Sequence, residues 1–142
     1  MNIRSHLAQL HMFMDNQRMC DGNGASVLDD LLVKTREFVA ERDWEQYHSP
    51  KNLSIALSVE AAELAEIFQW LTEDQSRNLT PMQKAHAAEE IGDVLVYLVD
   101  LAEKLGIEPV KAAFDKLEKN REKYPVEKAR GNAVKYDELA GG

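Results

Sequence analysis

Two pairs of carboxylates, each three residues apart, are the side chains of this sequence best suited to chemistry. Glu60 and Glu63 form the first pair, and Glu90 and Asp93 form the second. Because an α-helix turns once in about 3.6 residues, each pair lies on one helical face. Four converging carboxylates repel each other strongly unless a cation lies between them. Ligation by oxygen alone favours a hard ion, so the pattern predicts a site for Mg²⁺ or Mn²⁺ rather than Zn²⁺.

Apolar residues at helical spacing predict the two helices that would carry these acids. One stripe repeats at intervals of four and three: Leu57, Ala61, Leu64, Phe68 and Leu71. The other consists of Ile91, Leu95, Leu98, Ala102 and Leu105. A step of about 100° per residue places each acid pair beside its stripe, where the acids would be partly desolvated and need a counter-charge. A solvated acidic face is the alternative, but two pairs on successive helices favour the metal site.

Start and stop signals predict four main helices and therefore an all-α fold. Ser49-Pro50 and Thr80-Pro81 each place a capping side chain before a proline at the first helical position. Gly106 is a typical left-handed helix end. We expect helices at about 27–42, 50–71, 81–106 and 109–124, with a polar loop at 72–79.

The two ends of the chain differ from this helical body. Residues 1–25 end at the turn sequence Asp21-Gly22-Asn23-Gly24, so we expect a separate N-terminal arm. Residues 26–125 form the predicted functional domain. Residues 126–142, which lack strong periodicity, form a predicted C-terminal tail.

Composition excludes several classes of protein. The 142 residues suffice for one domain with a modest core, and the net charge of −8 disfavours a nucleic-acid partner. A lone cysteine, Cys20, excludes internal disulfides and indicates a reducing compartment. No apolar run approaches the roughly 20 residues of a membrane span, and the N-terminus lacks a signal-peptide pattern. We therefore expect a cytoplasmic protein without a membrane partner.

Charge changes sign along the chain. Residues 53–109 contain eleven Asp and Glu against three Lys and Arg, whereas residues 110–135 contain eight Lys and Arg against four acids. An acidic metal site followed by a basic segment suits a metal-bound polyphosphate, because phosphate oxygens that the metal leaves free need Lys and Arg. A solvated basic helix is the alternative interpretation.

Aromatic residues near the helix ends are candidates for ligand binding. The segment after the first helix contains Trp44, Gln46, Tyr47 and His48, and polar-aromatic loops commonly line ligand sites. Trp70 follows Glu63 by seven residues, on nearly the same face. These aromatic side chains could stack on a base or simply close the core of a bundle.

Four blocks of this sequence, in this order, resemble the MazG-like all-α nucleoside triphosphate pyrophosphohydrolases, especially their dCTP pyrophosphatase branch. The blocks are residues 41–48 (ERDWEQYH), 60–70 (EAAELAEIFQW), 89–97 (EEIGDVLVY) and 120–125 (NREKYP). The resemblance implies a four-helix bundle completed by homodimerisation, as a dimer or a dimer of dimers. It also implies Mg²⁺-dependent hydrolysis of dCTP or related dNTPs to a nucleoside monophosphate and pyrophosphate, for house-cleaning of the nucleotide pool.

The resemblance also implies a role for each matching residue. The metal ligands would be Glu60, Glu63, Glu90 and Asp93. The base and sugar would meet Trp44, Gln46, Tyr47, His48, Trp70 and Tyr97. The phosphates would meet Lys116, Asn120, Arg121 and Lys123. Glu63 or Glu66 would orient or deprotonate the attacking water, and the sequence does not choose between them. Thr35 stands where the family often places a histidine of the pocket.

Two other functions compete with pyrophosphohydrolysis as interpretations of this sequence. A ferritin-like di-metal oxidase uses Glu-x-x-His motifs on two helices, and neither acid pair here has a histidine three residues later. His86 precedes Glu90 by four residues and cannot supply both motifs. The other rival is a non-catalytic helical dimerisation or regulatory module on the same scaffold. The presence of all four predicted metal ligands favours the enzyme.

Overall fold

The computed structural model describes residues 27–131 and residue 133, and the regular elements of these residues are all helices. In chain order they are α1 (Val27–Ala40), α2 (Pro50–Phe68), α3 (Glu73–Arg77), α4 (Pro81–Lys104), α5 (Pro109–Lys123) and α6 (Val126–Ala129). A short 3₁₀ turn, Glu45–Tyr47, lies between α1 and α2. The all-α prediction and its four main helices are confirmed. The predicted N-terminal arm and nearly all of the predicted tail beyond 131 lie outside the described residues.

Local capping explains why the helices begin where the sequence predicts. The Ser49 hydroxyl accepts a hydrogen bond from the Asn52 amide at 3.3 Å, and Pro50 follows as the first residue of α2. Before α4, the Gln83 amide donates to Thr80 Oγ1 and the Thr80 amide donates to Gln83 Oε1, at 3.2 and 3.0 Å. These contacts satisfy amides that a helix leaves unpaired at its start.

The predicted loop at 72–79 is partly wrong, because it contains α3. Thr72 and Gln75 form a reciprocal capping box: the Gln75 amide donates to Thr72 Oγ1, and the Thr72 amide donates to Gln75 Oε1. Such a box stabilises even a five-residue helix whose composition is polar. The Thr-x-x-Gln spacing was the available signal.

The end of α4 follows the glycine signal. Gly106 has a φ of +65°, and the Ile107 amide donates to the Ala102 carbonyl at 2.8 Å. This pattern closes the last turn with a residue in the left-handed region, where glycine has no steric penalty.

The chain divides into two compact units between Asp100 and Leu101. In the first unit the most deeply buried apolar side chains are Val39, Leu53, Ala87 and Val99. In the second unit, α5 is exposed along almost its whole length. No helix in the described part of the chain is both long enough and apolar enough to cross a membrane.

The apolar stripe predicted along α4 is not the face that the single chain buries. Ile91, Leu95 and Leu98 are 55%, 40% and 42% exposed, whereas Ala87 and Glu90 are buried. An apolar stripe at helical spacing would be expected to face the core, but in the single chain this one is largely exposed, apart from the buried Ala102. The reason is that α4 carries apolar residues on more than one side, so periodicity alone does not select the face that packs inward.

Candidate active site

Acids from two helices converge at one point of the first unit. Glu60 of α2 and Glu90 and Asp93 of α4 each place a carboxylate oxygen within 4.8 Å of the others. Glu63 lies outside this three-residue group. Burial raises the pKa of Glu60, and the negative charges of Glu63, Asp93 and Glu90 raise it further. The group therefore concentrates negative charge, which a bound cation would stabilise.

The chemistry of Glu90 fits a metal ion. Its side chain is buried, and Oε1 lies 3.1 Å from His86 Nε2. Its other oxygen, Oε2, is buried and has no hydrogen-bond partner among the described residues. An unpaired buried carboxylate oxygen is costly, and the cost rises beside two further carboxylates. A hard divalent cation held by Glu60, Glu90 and Asp93 would satisfy it.

The raised pKa of Glu60 predicts how the stability of the metal-free protein depends on pH. The free energy of unfolding falls with rising pH wherever the folded state binds more protons than the unfolded state. Because the folded pKa of Glu60 lies above its ordinary value of 4.5, we expect this loss of stability as pH rises from that value through the raised pKa. Glu60→Gln should remove the contribution.

Urea unfolding of the metal-free protein and of Glu60→Gln across this pH range would measure the effect. The difference in unfolding free energy between the two proteins should change with pH, in favour of the variant as pH rises. Glu89→Gln, which changes an exposed acid on α4, serves as the parallel control. A difference between wild type and Glu60→Gln that stays constant with pH would contradict the prediction.

The two candidate water-activating acids lie together in a small concavity of about 330 Å³. Glu63 and Glu66 of α2 line it with Ile67, Gln83 and His86. His86 connects this concavity to the acid group, because the same imidazole contacts Glu90. The geometry keeps both carboxylates available, so the choice between them stays open.

A larger cavity, of about 460 Å³, lies beside the acid group. It is lined by Lys34, Thr35, Phe38, Val39, Trp44, His48, Asp93, Val96, Tyr97 and Asp100. Asp93 belongs both to this lining and to the acid group, so the two features adjoin. A mostly apolar cavity next to clustered carboxylates can hold an aromatic ring near a metal-bound polar group.

The end of α1 builds the aromatic wall of this cavity. Asp43 adopts a φ of +54°, and the Trp44 amide donates to the Val39 carbonyl at 3.1 Å, which turns the chain back toward α1. The indole of Trp44 meets the Phe38 ring edge to face, with centroids 5.9 Å apart. The Arg42 guanidinium lies 3.6 Å from the centroid of the Phe38 ring. The Phe38 side chain is itself 49% exposed.

Tyr97 and Thr35 contribute polar groups to the cavity lining. Burial raises the pKa of Tyr97, and the charges of Glu60, Asp93 and Asp100 raise it further, so its phenol stays protonated and able to donate. Thr35 is buried, and its hydroxyl donates to the Leu31 carbonyl at 2.9 Å. The hydroxyl proton of Thr35 is therefore donated within α1. A histidine at this position could instead direct its N–H group into the cavity.

Three predicted base-binding residues do not line the cavity of the single chain. Gln46 Nε2 donates to the Asp43 carbonyl and carboxylate at 3.0 and 3.1 Å, and so braces the loop. Tyr47 is 59% exposed and Trp70 is 86% exposed. Their roles in base binding stay predictions.

The predicted phosphate-binding residues all lie on α5, in the second unit. Arg121 pairs with Glu118 of the same helix at 2.5 Å, and Lys116 is exposed. The Asn120 carbonyl accepts from the Tyr124 amide at the end of α5. The roles of Lys116, Asn120, Arg121 and Lys123 toward phosphate stay predictions.

Sequence reasoning missed Asp100 as a residue of the site. It lies three residues after Tyr97, lines the cavity and is 4% exposed. Its carboxylate contacts His48 at 2.6 Å. The available signal was an acid inside the apolar run from Val94 to Leu101, because a buried acid requires a partner.

A family model and several known proteins match much of this chain. The model of the MazG-like family matches residues 55–139. dCTP pyrophosphatase 1 of Mus musculus is 45% identical to this chain over 117 residues, which cover 81% of this chain and 69% of the mouse protein. The Homo sapiens protein of the same name is 44% identical over 117 residues, with the same coverage of both chains.

A solved structure of a pyrophosphatase has a similar fold. A pyrophosphatase from Archaeoglobus fulgidus superposes with a TM-score of 0.68 and is 42% identical to this chain. The match covers 72% of this chain and 96% of the archaeal one. With a family model that spans more than half of its residues and relatives of this identity, the chain belongs to the MazG-like family.

Proposed function

We propose that this protein is a divalent-metal-dependent nucleoside triphosphate pyrophosphohydrolase that cleaves dCTP or related dNTPs to a nucleoside monophosphate and pyrophosphate. The observation that carries the proposal is the contact between two features: Asp93 belongs both to the acid group and to the cavity lining. Relatives named dCTP pyrophosphatase 1 support the substrate class. House-cleaning of the nucleotide pool is the corresponding physiological role.

Each part of the site has a role in this reaction. When bound, a divalent cation, Mg²⁺ in the proposal, would neutralise charge on the phosphates and would help to activate the attacking water. Glu60, Glu90 and Asp93 would hold it, together with Glu63 if that side chain turns toward the group. Glu63 or Glu66 would orient the attacking water or accept its proton. Trp44 and Phe38 would hold the base by stacking.

A nucleotide panel tests the proposal directly. The purified protein is incubated with Mg²⁺ or Mn²⁺ and each of the four dNTPs, and the products are separated by anion-exchange chromatography. We expect pyrophosphate and the monophosphate in equal amounts, with dCTP among the substrates turned over. Release of orthophosphate would contradict α–β cleavage. Lack of turnover with either metal would instead favour the non-catalytic dimerisation module.

We also propose that the protein forms a homo-oligomer, a homodimer or homotetramer, through apolar faces that the single chain leaves exposed. On α4 these residues are Ile91, Leu95 and Leu98, and on α2 they are Ile55 and Val59. Apolar residues repeated along a helix face indicate a binding surface more strongly than isolated ones do. A second copy is the occupant that the predicted bundle requires.

Leu95→Glu is expected to shift the protein toward the monomer, because an unpaired charge in an apolar interface is costly. Size-exclusion chromatography with light scattering would measure the mass of each species. Glu89→Lys, which reverses a charge on the opposite side of α4, should leave the mass unchanged. A wild-type protein that is already monomeric, or a Leu95→Glu variant with the wild-type mass, would count against this interface.

A further inference from the structure

A buried histidine–aspartate pair lies in the cavity wall, separate from the acid group. His48 Nδ1 and Asp100 Oδ2 are 2.6 Å apart, and the two side chains are only 15% and 6% exposed. The pair connects the segment before α2 with α4, and both residues line the cavity. Neither residue belongs to the acid group or lines the concavity that contains Glu63 and Glu66.

The aspartate fixes the polarity of the imidazole. An ionised carboxylate can only accept hydrogen bonds, so Nδ1 of His48 must carry the proton that they share. In a neutral imidazole this leaves Nε2 without a proton, as an acceptor. A flip of the ring would break a charge-assisted bond and leave the buried Asp100 carboxylate unpaired, which is costly.

Building on the proposed function, we propose that Asp100 is a positioning residue that holds His48 Nε2 as an acceptor for an amino group of the base. The rest of the wall near this pair includes Trp44, Phe38 and Val96, which suit the faces and edges of a planar ring. An exocyclic amino group donates to Nε2, whereas a carbonyl at the same place would face a second acceptor and leave both unpaired. The pair therefore favours aminopyrimidine over oxopyrimidine nucleotides.

Asp100→Asn tests the proposal because the new amide can donate to Nδ1 and move the imidazole proton to Nε2. We expect kcat/KM for dCTP to fall by about tenfold, mainly through KM, while kcat/KM for dUTP stays constant or rises. Nitrogen-15 NMR of the imidazoles should report Nδ1–H for wild-type His48 and a shift toward Nε2–H in the variant. Asp74→Asn, an exposed aspartate of α3, is the matched control and should change neither quantity.

A double variant tests the proposal without leaving an unpaired charge in the protein interior. Replacing both partners, His48→Leu with Asp100→Leu, leaves no unpaired buried charge and should melt near the wild-type temperature. Its preference for dCTP over dUTP should nevertheless disappear. Retention of the wild-type preference in this variant, or equal losses for dCTP and dUTP in Asp100→Asn, would reduce the pair to a structural role and overturn the proposal.

Two further measurements distinguish an amino group of the base from the sugar as the donor to His48, and binding from turnover. Comparing kcat/KM for dCTP and for 2′,3′-dideoxy-CTP tests whether the sugar, rather than the base, donates to His48. Suppose that Asp100→Asn abolishes the difference in kcat/KM between these two nucleotides but keeps the preference for dCTP over dUTP. The donor is then the 3′-hydroxyl, and the assignment to the base is wrong. Calorimetric binding of α,β-imido analogues of dCTP and dUTP does not require turnover. A preference for the dCTP analogue that Asp100→Asn removes would support the pair even if the proposed hydrolysis failed.

Discussion

Glu90→Gln is expected to lower metal-dependent nucleotide hydrolysis by at least about 100-fold, because losing a direct ligand costs more than losing a residue that only orients one. Glu90 is the buried member of the acid group, and its Oε2 has no hydrogen-bond partner among the described residues. An amide keeps the shape of the side chain but supplies less charge to a cation. Hydrolysis rates at increasing Mg²⁺ or Mn²⁺, with calorimetric metal titration, would measure the loss.

The same substitution should leave the metal-free protein as stable as wild type or more stable. Removing one charge from three clustered carboxylates relieves repulsion, and an amide can donate where the carboxylate could not. Thermal unfolding in EDTA checks this, and Glu89→Gln, an exposed acid one residue away, is the matched control for rate and stability. A Glu90→Gln enzyme with wild-type rate and metal affinity would refute the assignment.

Trp44→Ala is expected to raise KM for the favoured dNTP by about tenfold to 100-fold, because stacking of one base on an aromatic side chain contributes about 1–3 kcal/mol. Trp44 lines the cavity and braces Phe38 edge to face. The effect should fall mainly on KM, since the acid group proposed to hold the metal is unchanged. Steady-state kinetics would separate KM from kcat, and Phe114→Ala, an exposed aromatic residue of α5, provides the control.

Trp70→Ala, measured beside Trp44→Ala, tests the remaining aromatic prediction. In the single chain the Trp70 side chain is 86% exposed and does not line the cavity. An increase in KM that appears only in the oligomeric protein would indicate that this indole acts in an assembled site. A KM for Trp44→Ala equal to that of wild type would exclude the proposed stacking wall.

Sequence patterns predicted the helices well because the signals are local. Ser49 with Pro50, and Thr80 with Gln83, satisfy amide groups within one turn, so neighbouring residues suffice to locate the start of each helix. The short helix α3 also begins at a local capping box, Thr72 with Gln75, so a signal of the same kind marks its start.

Sequence patterns predict less well the contacts and burial that depend on residues far apart in the chain. The pairing of His48 with Asp100 joins residues 52 positions apart, and no local spacing predicts it. Likewise, α4 carries apolar residues on several sides, and the single chain exposes Ile91, Leu95 and Leu98 rather than burying them.

The helical class, the helix starts and the two acid pairs on successive helices can be predicted from the residues alone, because helical periodicity and capping depend on residues within a few positions. The three-dimensional packing is needed to show that Glu60, Glu90 and Asp93 form the close group and that Glu63 lies outside it. It is also needed to show that Asp93 lines an aromatic cavity. These facts depend on how α2 and α4 are rotated about their axes. That rotation is set by packing across the whole unit, which no short stretch of sequence encodes.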